Sequence, residues 1–90
     1  MSKEGITMEG LIEGRIVHYV TPPGRIRPAI VVQVWRDAEG APPTNGVCNL
    51  QVFTDGSNDG PWGASGVVWA TSAVFDADGA PGTWHWPPRA

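Results

Sequence analysis

Val47-Cys48-Asn49-Leu50-Gln51-Val52-Phe53-Thr54 is the stretch that decides the fold, and Asn45-Gly46 stands immediately before it. An Asn-Gly pair tolerates positive φ and is typical of a tight chain reversal. Successive side chains of a strand point to opposite faces. One face of this run then carries Cys48, Leu50 and Val52. The pattern predicts a β-strand with those three residues in a core.

Four further short runs are rich in β-branched and aromatic residues and are bounded by glycine and proline. They cover residues 15–20, 29–35, 66–75 (with a kink near Thr71-Ser72) and 83–86. Five short strands predict an all-β protein, a small and strongly bent SH3-like barrel with little or no helix. An OB-type barrel is the alternative, although it is usually longer and often includes a helix. We expect residues 1–12 to form a loose N-terminal arm or edge segment, and residues 13–90 to form the single domain.

The composition of the chain indicates which partners it is expected to bind and in which cellular compartment it is expected to lie. The 90 residues include six Lys and Arg against nine Asp and Glu, a net charge of −3, which does not favour binding to duplex nucleic acid. The single cysteine, Cys48, excludes an intramolecular disulfide. No run is apolar enough for a secretion signal or a membrane span. We therefore expect a soluble intracellular protein without membrane contact.

The first candidate site lies on the faces of the second and third predicted strands that are opposite the core. In the second strand Ile30, Val32 and Val34 form the more aliphatic set, which we assign to the core. Aromatic and amide side chains then fall on the outer surface, where they are typical of a contact surface. The predicted interface residues are Gln33, Trp35, Gln51 and Phe53, with Asn49 among them and Trp62 added from the following loop. The alternative is that the N-terminal arm or the loop at 55–65 covers this face.

The second candidate site combines arginine with tryptophan. Arg25 and Arg27 lie in a proline-stiffened loop and would project the same way if it is extended, which suits a phosphate or carboxylate. Trp84 and Trp86 share one face of the last strand and could stack a planar base. These four are the predicted ligand-binding residues. The alternatives are that one tryptophan plugs the barrel end and that the arginines are ordinary solvated side chains.

Other motifs do not predict chemistry. Asp55-Gly56-Ser57-Asn58-Asp59-Gly60 resembles half of a calcium loop, but its twelfth position would be Gly66 where a glutamate is needed. His18 and His85 could approach each other if the first and last strands pair, yet zinc needs two more ligands. We find no nucleophile with a base and no paired acids. We therefore predict no metal, no cofactor and no catalytic residues.

The overall pattern resembles a family of small proteins encoded by bacteriophages and prophages. The residues that carry the resemblance are Gly14-Arg15-Ile16-Val17-His18-Tyr19, Ala29-Ile30-Val31-Val32, Asn49-Leu50-Gln51-Val52-Phe53 and, most specifically, the closing Pro81-Gly82-Thr83-Trp84-His85-Trp86-Pro87. It covers most of residues 14–88. The resemblance implies a phage context and expression inside a bacterium, and it supplies no catalytic or binding residues.

Two functional hypotheses follow. The first is a non-enzymatic phage accessory protein in the host cytoplasm, which binds a small anionic ligand through aromatic and arginine side chains and sequesters a nucleotide immune signal of the host. The second is a virion component or assembly protein that acts through contacts with a phage or host protein. Both allow a homo-oligomer, because the outward aromatic residues predict association.

Overall fold

A single antiparallel β-sheet forms the protein. The computed structural model describes residues 8–88. Its strands are β1 (Ile16–Val20), β2 (Ile26–Val34), β3 (Cys48–Phe53), β4 (Val67–Ala73) and β5 (Trp84–His85), in the spatial order β4-β3-β2-β1-β5. Within the described residues the one helical segment is a 3₁₀ turn at Pro61–Gly63. The predicted all-β class with five strands is confirmed. No helix in residues 8–88 has the length and apolarity needed to cross a membrane.

Each strand begins within three residues of its predicted start and ends within two of its predicted end, because glycine and proline punctuate the chain. The predicted kink in the fourth strand is also present. Ser72 has a φ of 56°, the one non-glycine residue with positive φ in the described part of the chain. The register between β3 and β4 shifts beside it, between the pairs made by Cys48 and Leu50. β4 therefore bends at its end instead of continuing straight.

The core lies on one face of the sheet. Cys48, Leu50 and Val52 are fully buried there, as the alternation of β3 predicts. The prediction for β2 is wrong at Ile30 and Val32, because Ile30 is half-buried and Val32 is 43% exposed. The buried set of β2 is instead the following group of small aliphatic residues: Ala29, Val31 and Val34.

A β-bulge explains the difference in β2. The register with β3 shifts between Val31 and Gln33, so Val32 is an extra residue without a partner. A bulge places two successive side chains on the same side of the sheet and inverts the alternation beyond it. Val31 and Val34 thus both reach the core across three positions rather than two. Sequence periodicity alone does not reveal the inserted residue.

The core begins before the predicted domain boundary. Met8 and Leu11 are buried in the same apolar cluster as the strand residues. Residues 8–12 are therefore part of the domain rather than a loose arm, and residues 1–7 of the predicted arm lie outside the described residues. Apolar side chains at these two positions extend a core that a chain of this length can barely complete.

Trp84 is the largest fully buried side chain of the described chain. Its Nε1 donates a hydrogen bond of 2.8 Å to the carbonyl of Gly46, so the polar atom of the indole is satisfied inside the core. The rings of Phe75 and Trp86 meet it edge-on at centroid distances of 5.1 and 4.9 Å. A structural role for one tryptophan of the closing motif is the predicted alternative to ligand binding, and Trp84 has this role.

The two ends of the sheet approach each other through the residues after β4. The Trp84 N–H donates to the Val74 carbonyl at 3.0 Å, and the Asp76 N–H donates to the Trp84 carbonyl at 2.9 Å. A single parallel bridge joins Phe75 to Trp84. β4 and β5 themselves share no ladder within residues 8–88. Closure into an SH3-like barrel stays a prediction.

Candidate interaction face

The side of the sheet opposite the core carries a row of neutral side chains across four strands. Ile16 pairs with Ile30, Ile30 with Gln51, and Gln51 with Trp69. Paired residues share a face, so these four side chains stand side by side on the outside. Ile16 and Trp69, at the two ends of the row, are 56% and 49% exposed, and Ile30 and Gln51 between them are partly buried. We call this side of the sheet the outer face.

Apolar residues extend the outer face on both sides of the row. Phe53 pairs with Val67, and Gln33 pairs with Asn49. The exposed large apolar residues of the outer face, besides the two in the row, are Ile26, Val32, Trp35, Phe53 and Val67. Because an aromatic side chain covers about 200 Å², the half-exposed rings of Trp35, Phe53 and Trp69 alone present about 300 Å². The largest apolar patch of a typical monomeric protein has about this area and is often functional.

Charge is absent from the outer face. The outward positions of the five described strands contain no Asp, Glu, Lys or Arg. Six of the nine acidic residues lie in loops, at 37–39, 55–59 and 76–78. A solvated face of an antiparallel sheet is usually polar. The neutral composition of the outer face is typical of the buried centre of an interface.

Asn49 fixes the position of Trp35 on this face. Its Oδ1 accepts a hydrogen bond of 3.2 Å from the Trp35 Nε1 and another of 2.9 Å from the Ser72 N–H. The second bond holds the backbone where Ser72 takes positive φ. The Trp35 ring is thereby positioned before any partner arrives, which lowers the entropy lost on binding. The sequence predicts both residues on this face, and the structure brings them together.

The predicted arginine site is occupied by the protein's own carboxylate. Arg27 donates to both oxygens of Asp59, at 2.8 Å from Nε and 2.9 Å from a terminal nitrogen, and the Asp59 side chain is almost fully buried. The hydrogen bonds from Arg27 lower the pKa of Asp59 despite its burial, and the nearby positive charge of Arg25 acts in the same direction. The anion that Arg27 binds is therefore a side chain of the loop between β3 and β4.

Asp59 also organises the loop between β3 and β4. Its Oδ2 accepts a hydrogen bond of 2.7 Å from the Asp55 N–H, and Thr54 Oγ1 donates to the Gly63 carbonyl at 2.7 Å. A Cβ on Gly63 would lie 2.6 Å from the Asp59 Cβ, so only glycine fits there. The segment that resembles half of a calcium loop is thus closed by Arg27, and no group of three metal-ligating side chains occurs in residues 8–88.

The two tryptophans of the predicted base-stacking site have different environments. Trp84 is fully buried, so its faces are occupied by the core. Trp86 is half-buried, and the Arg15 guanidinium carbon lies 5.7 Å from the centre of its ring, within the range of a cation–π contact. The described residues enclose no pocket. The structure therefore does not bring Arg25, Arg27, Trp84 and Trp86 together around a cavity.

Trp62 lies on the core side of the sheet rather than on the outer face. Its ring stacks on the inward Tyr19 at a centroid distance of 6.2 Å and an interplanar angle of 15°, and it packs against the apolar cluster. The loop at 55–65 consequently covers the core and leaves the outer face open. The sequence placed Trp62 with the interface residues because a loop position carries no periodicity that assigns a face.

His18 and His85 are partners in the pairing of β1 with β5, as predicted. Their ring centroids lie 5.8 Å apart in an edge-on arrangement. Burial and the neighbouring His18 lower the pKa of His85, and its Nδ1 is buried without a hydrogen bond from the described residues. Within residues 8–88 no third His, Cys, Asp or Glu joins the two imidazoles in a metal-binding group.

Comparison of the chain with protein-family models, with curated proteins and with solved structures finds no match. The candidate site therefore rests on the geometry of this chain alone.

Sequence reasoning missed Trp69, an exposed aromatic residue of the outer face on the edge strand β4. Its partner Gln51 belongs to the predicted interface, and Phe53 of the same set pairs with Val67 of the same strand. The missing information was the register of β4 against β3. Alternation within β4, with Val67 and Trp69 on the same face, is the signal that could have identified it.

Proposed function

We propose that this protein is a non-enzymatic phage accessory protein that acts through protein-protein contacts of its outer face, as a virion component or assembly protein. The row of Ile16, Ile30, Gln51 and Trp69 supports this proposal most directly, because it is neutral and continuous across four strands and its two end residues, Ile16 and Trp69, are exposed. Burying such a face in an interface gains roughly 25 cal/mol for each Å² of apolar surface removed from water. The phage context follows from the resemblance of the chain.

Phe53→Lys tests this role, because it places a charge on the outer face at a residue that is already 41% exposed. Ile12→Lys is the matched control, since Ile12 is 50% exposed and lies outside the sheet. We expect mass spectrometry of purified phage particles to find the protein in fixed stoichiometry. Phe53→Lys should reduce its incorporation at least tenfold while Ile12→Lys does not. A protein absent from particles and from every stoichiometric complex in infected cells would contradict the proposal.

Nucleotide sequestration is the second candidate, and Arg15 over the half-buried ring of Trp86 supports it. Aromatic stacking and an arginine are the groups that bind a base and its phosphate. Titration with cyclic and linear nucleotides by calorimetry tests this candidate. Binding with quenching of tryptophan fluorescence that Trp86→Leu abolishes supports it, and absence of binding at micromolar concentrations rules it out.

A further inference from the structure

The two edges of the sheet differ in whether their backbone groups are hydrogen-bonded to other parts of the chain. At the β5 edge, the Trp84 N–H donates to the Val74 carbonyl at 3.0 Å, and the Trp84 carbonyl accepts from the Asp76 N–H at 2.9 Å. At the other edge, β4 pairs with β3 alone among the strands of residues 8–88. An edge strand presents a row of N–H and C=O groups that can pair with another chain. The β4 edge is therefore the open edge of this sheet.

The register shows which groups face outward. The Thr54 N–H donates to the Gly66 carbonyl at 2.8 Å, and Val52 and Leu50 pair with Val68 and Ala70 in the same phase. Hydrogen-bonded and non-hydrogen-bonded pairs alternate along an antiparallel ladder. The N–H and C=O groups of the intervening β4 residues thus point away from β3. These residues are Val67, Trp69 and Thr71.

Nothing on β4 protects this edge. Natural edge strands usually carry lysine, proline or an inward charge, or are twisted away by a bulge. The segment from Val67 to Thr71 contains no charge and no proline, and the bend at Ser72 comes only after it. Val67 and Trp69 are 42% and 49% exposed, so solvent reaches the edge. The Val67 carbonyl accepts a hydrogen bond of 2.7 Å from the Ser65 hydroxyl, which leaves its second lone pair available.

The segment is also complementary to itself. When two antiparallel copies are centred on Trp69, Val67 lies opposite Thr71 and Trp69 lies opposite its counterpart. Every outward N–H and C=O group of the three residues then finds a partner. The two Trp69 rings would be neighbours on the outer face, where cross-strand aromatic pairs are favourable. The absence of charge on the segment means that two copies do not repel each other there.

We propose that β4 pairs with β4 of a second copy of this chain, in an antiparallel arrangement centred on Trp69. The two sheets form one continuous sheet across a twofold axis, with both outer faces on the same side. This contact uses backbone groups at the edge, and Trp69 is the one residue of the row on the outer face that it engages. It does not rest on the proposed function. The mode is strand addition, in which main-chain hydrogen bonds supply the affinity.

Thr71→Pro tests the edge contact, because proline removes an N–H that points to solvent in the monomer and keeps the bonds to β3. Trp35→Lys is the control for association through the outer face. We expect sedimentation equilibrium to show a dimer for the wild type and for Trp35→Lys, and at least a tenfold weaker dimer for Thr71→Pro. Circular dichroism should show that Thr71→Pro stays folded.

Hydrogen exchange of the wild type provides a second measurement that needs no variant. The Trp69 and Thr71 amides should become protected as the protein concentration rises from micromolar to hundreds of micromolar. A wild type that is monomeric over this range overturns the proposal. So does a dimer that Trp35→Lys disrupts and Thr71→Pro does not, because association would then use the outer face.

Discussion

Trp84 and Gly46 are in contact at the centre of the core, where the indole Nε1 donates to the Gly46 carbonyl at 2.8 Å. Gly46 has a φ of 70°, and a Cβ placed on it would lie 2.9 Å from Trp84 Cζ2 and 2.8 Å from the Phe75 Cβ. Both the backbone conformation and the space available thus require glycine at this position. The Asn-Gly turn before β3 therefore reverses the chain and also packs against the Trp84 indole in the core.

Gly46→Ala should destabilise the protein by about 2–4 kcal/mol, the sum of a left-handed backbone conformation and a crowded core. Chemical denaturation with urea measures the change in the free energy of unfolding. Gly40→Ala is the matched control, because Gly40 has a φ of 86° and no atoms within 4 Å of its added Cβ. We expect Gly40→Ala to lose only about 1 kcal/mol. An equal loss in the free energy of unfolding for the two variants would show that crowding by Trp84 does not contribute at Gly46.

Asp59→Asn should lower the melting temperature, since Arg27 loses a charged bidentate partner in a part-buried site. Asp78→Asn is the control in an exposed turn, and we expect it to shift the melting temperature by no more than about 2–4 °C. Replacement of both partners, in Arg27→Met with Asp59→Leu, should be less damaging than Asp59→Asn if an unpaired guanidinium causes the loss. Scanning calorimetry on the four proteins makes the comparison.

Acid should weaken the fold through Glu13. Its carboxylate accepts hydrogen bonds of 2.7 and 2.9 Å from Arg36 and one of 3.0 Å from the Val34 N–H, which lower its pKa from 4.5 to about 2. A carboxyl group with a lower pKa in the folded state binds fewer protons than in the unfolded state between these two values. Its contribution to stability is therefore present above pH 4.5 and is lost as the pH falls towards 2.

Urea denaturation at a series of pH values measures this dependence. Glu13→Gln removes the titrating group, so its free energy of unfolding should fall less steeply between pH 4.5 and 2 than that of the wild type. Added salt should reduce the difference, because the ion pair is partly exposed. Parallel curves for the two proteins would contradict the role of Glu13 and assign the acid sensitivity to other carboxylates, such as Asp59.

Cys48 should be inert in the folded protein. Its side chain is fully buried, and burial raises the pKa of its thiol to about 12. The thiolate is the reactive form, so a thiol reagent at neutral pH should modify Cys48 only when the core opens. We expect modification at least a hundredfold slower in native buffer than in denaturing urea. Rapid stoichiometric labelling of the native protein would mean that β3 is accessible.

Local sequence patterns predicted the all-β class, the five strands and the bend near Ser72, because glycine, proline and β-branched residues act on the backbone within a few positions. They also predicted the core face of β3, where alternation is uninterrupted. The face of β2 was wrong at Ile30 and Val32, since the bulge at Val32 exists only through pairing with β3. A one-residue insertion reverses the alternation on one side of the bulge relative to the other, so an assignment that is right at Val34 is wrong at Ile30 and Val32.

The candidate site likewise has some features that the sequence predicted and others that only the tertiary structure decided. The sequence alone determined that Gln51 and Phe53 share a face, because period-two geometry within β3 is local. The position of Trp35 beside them depends on the pairing of β2 with β3. The tertiary structure decided that Trp69 joins them, that Asp59 binds Arg27, and that Trp84 fills the core while Trp86 remains at its margin. Each of these depends on which strands and loops become neighbours. That choice is made by the burial of apolar surface across the whole chain, and no short stretch of sequence contains it.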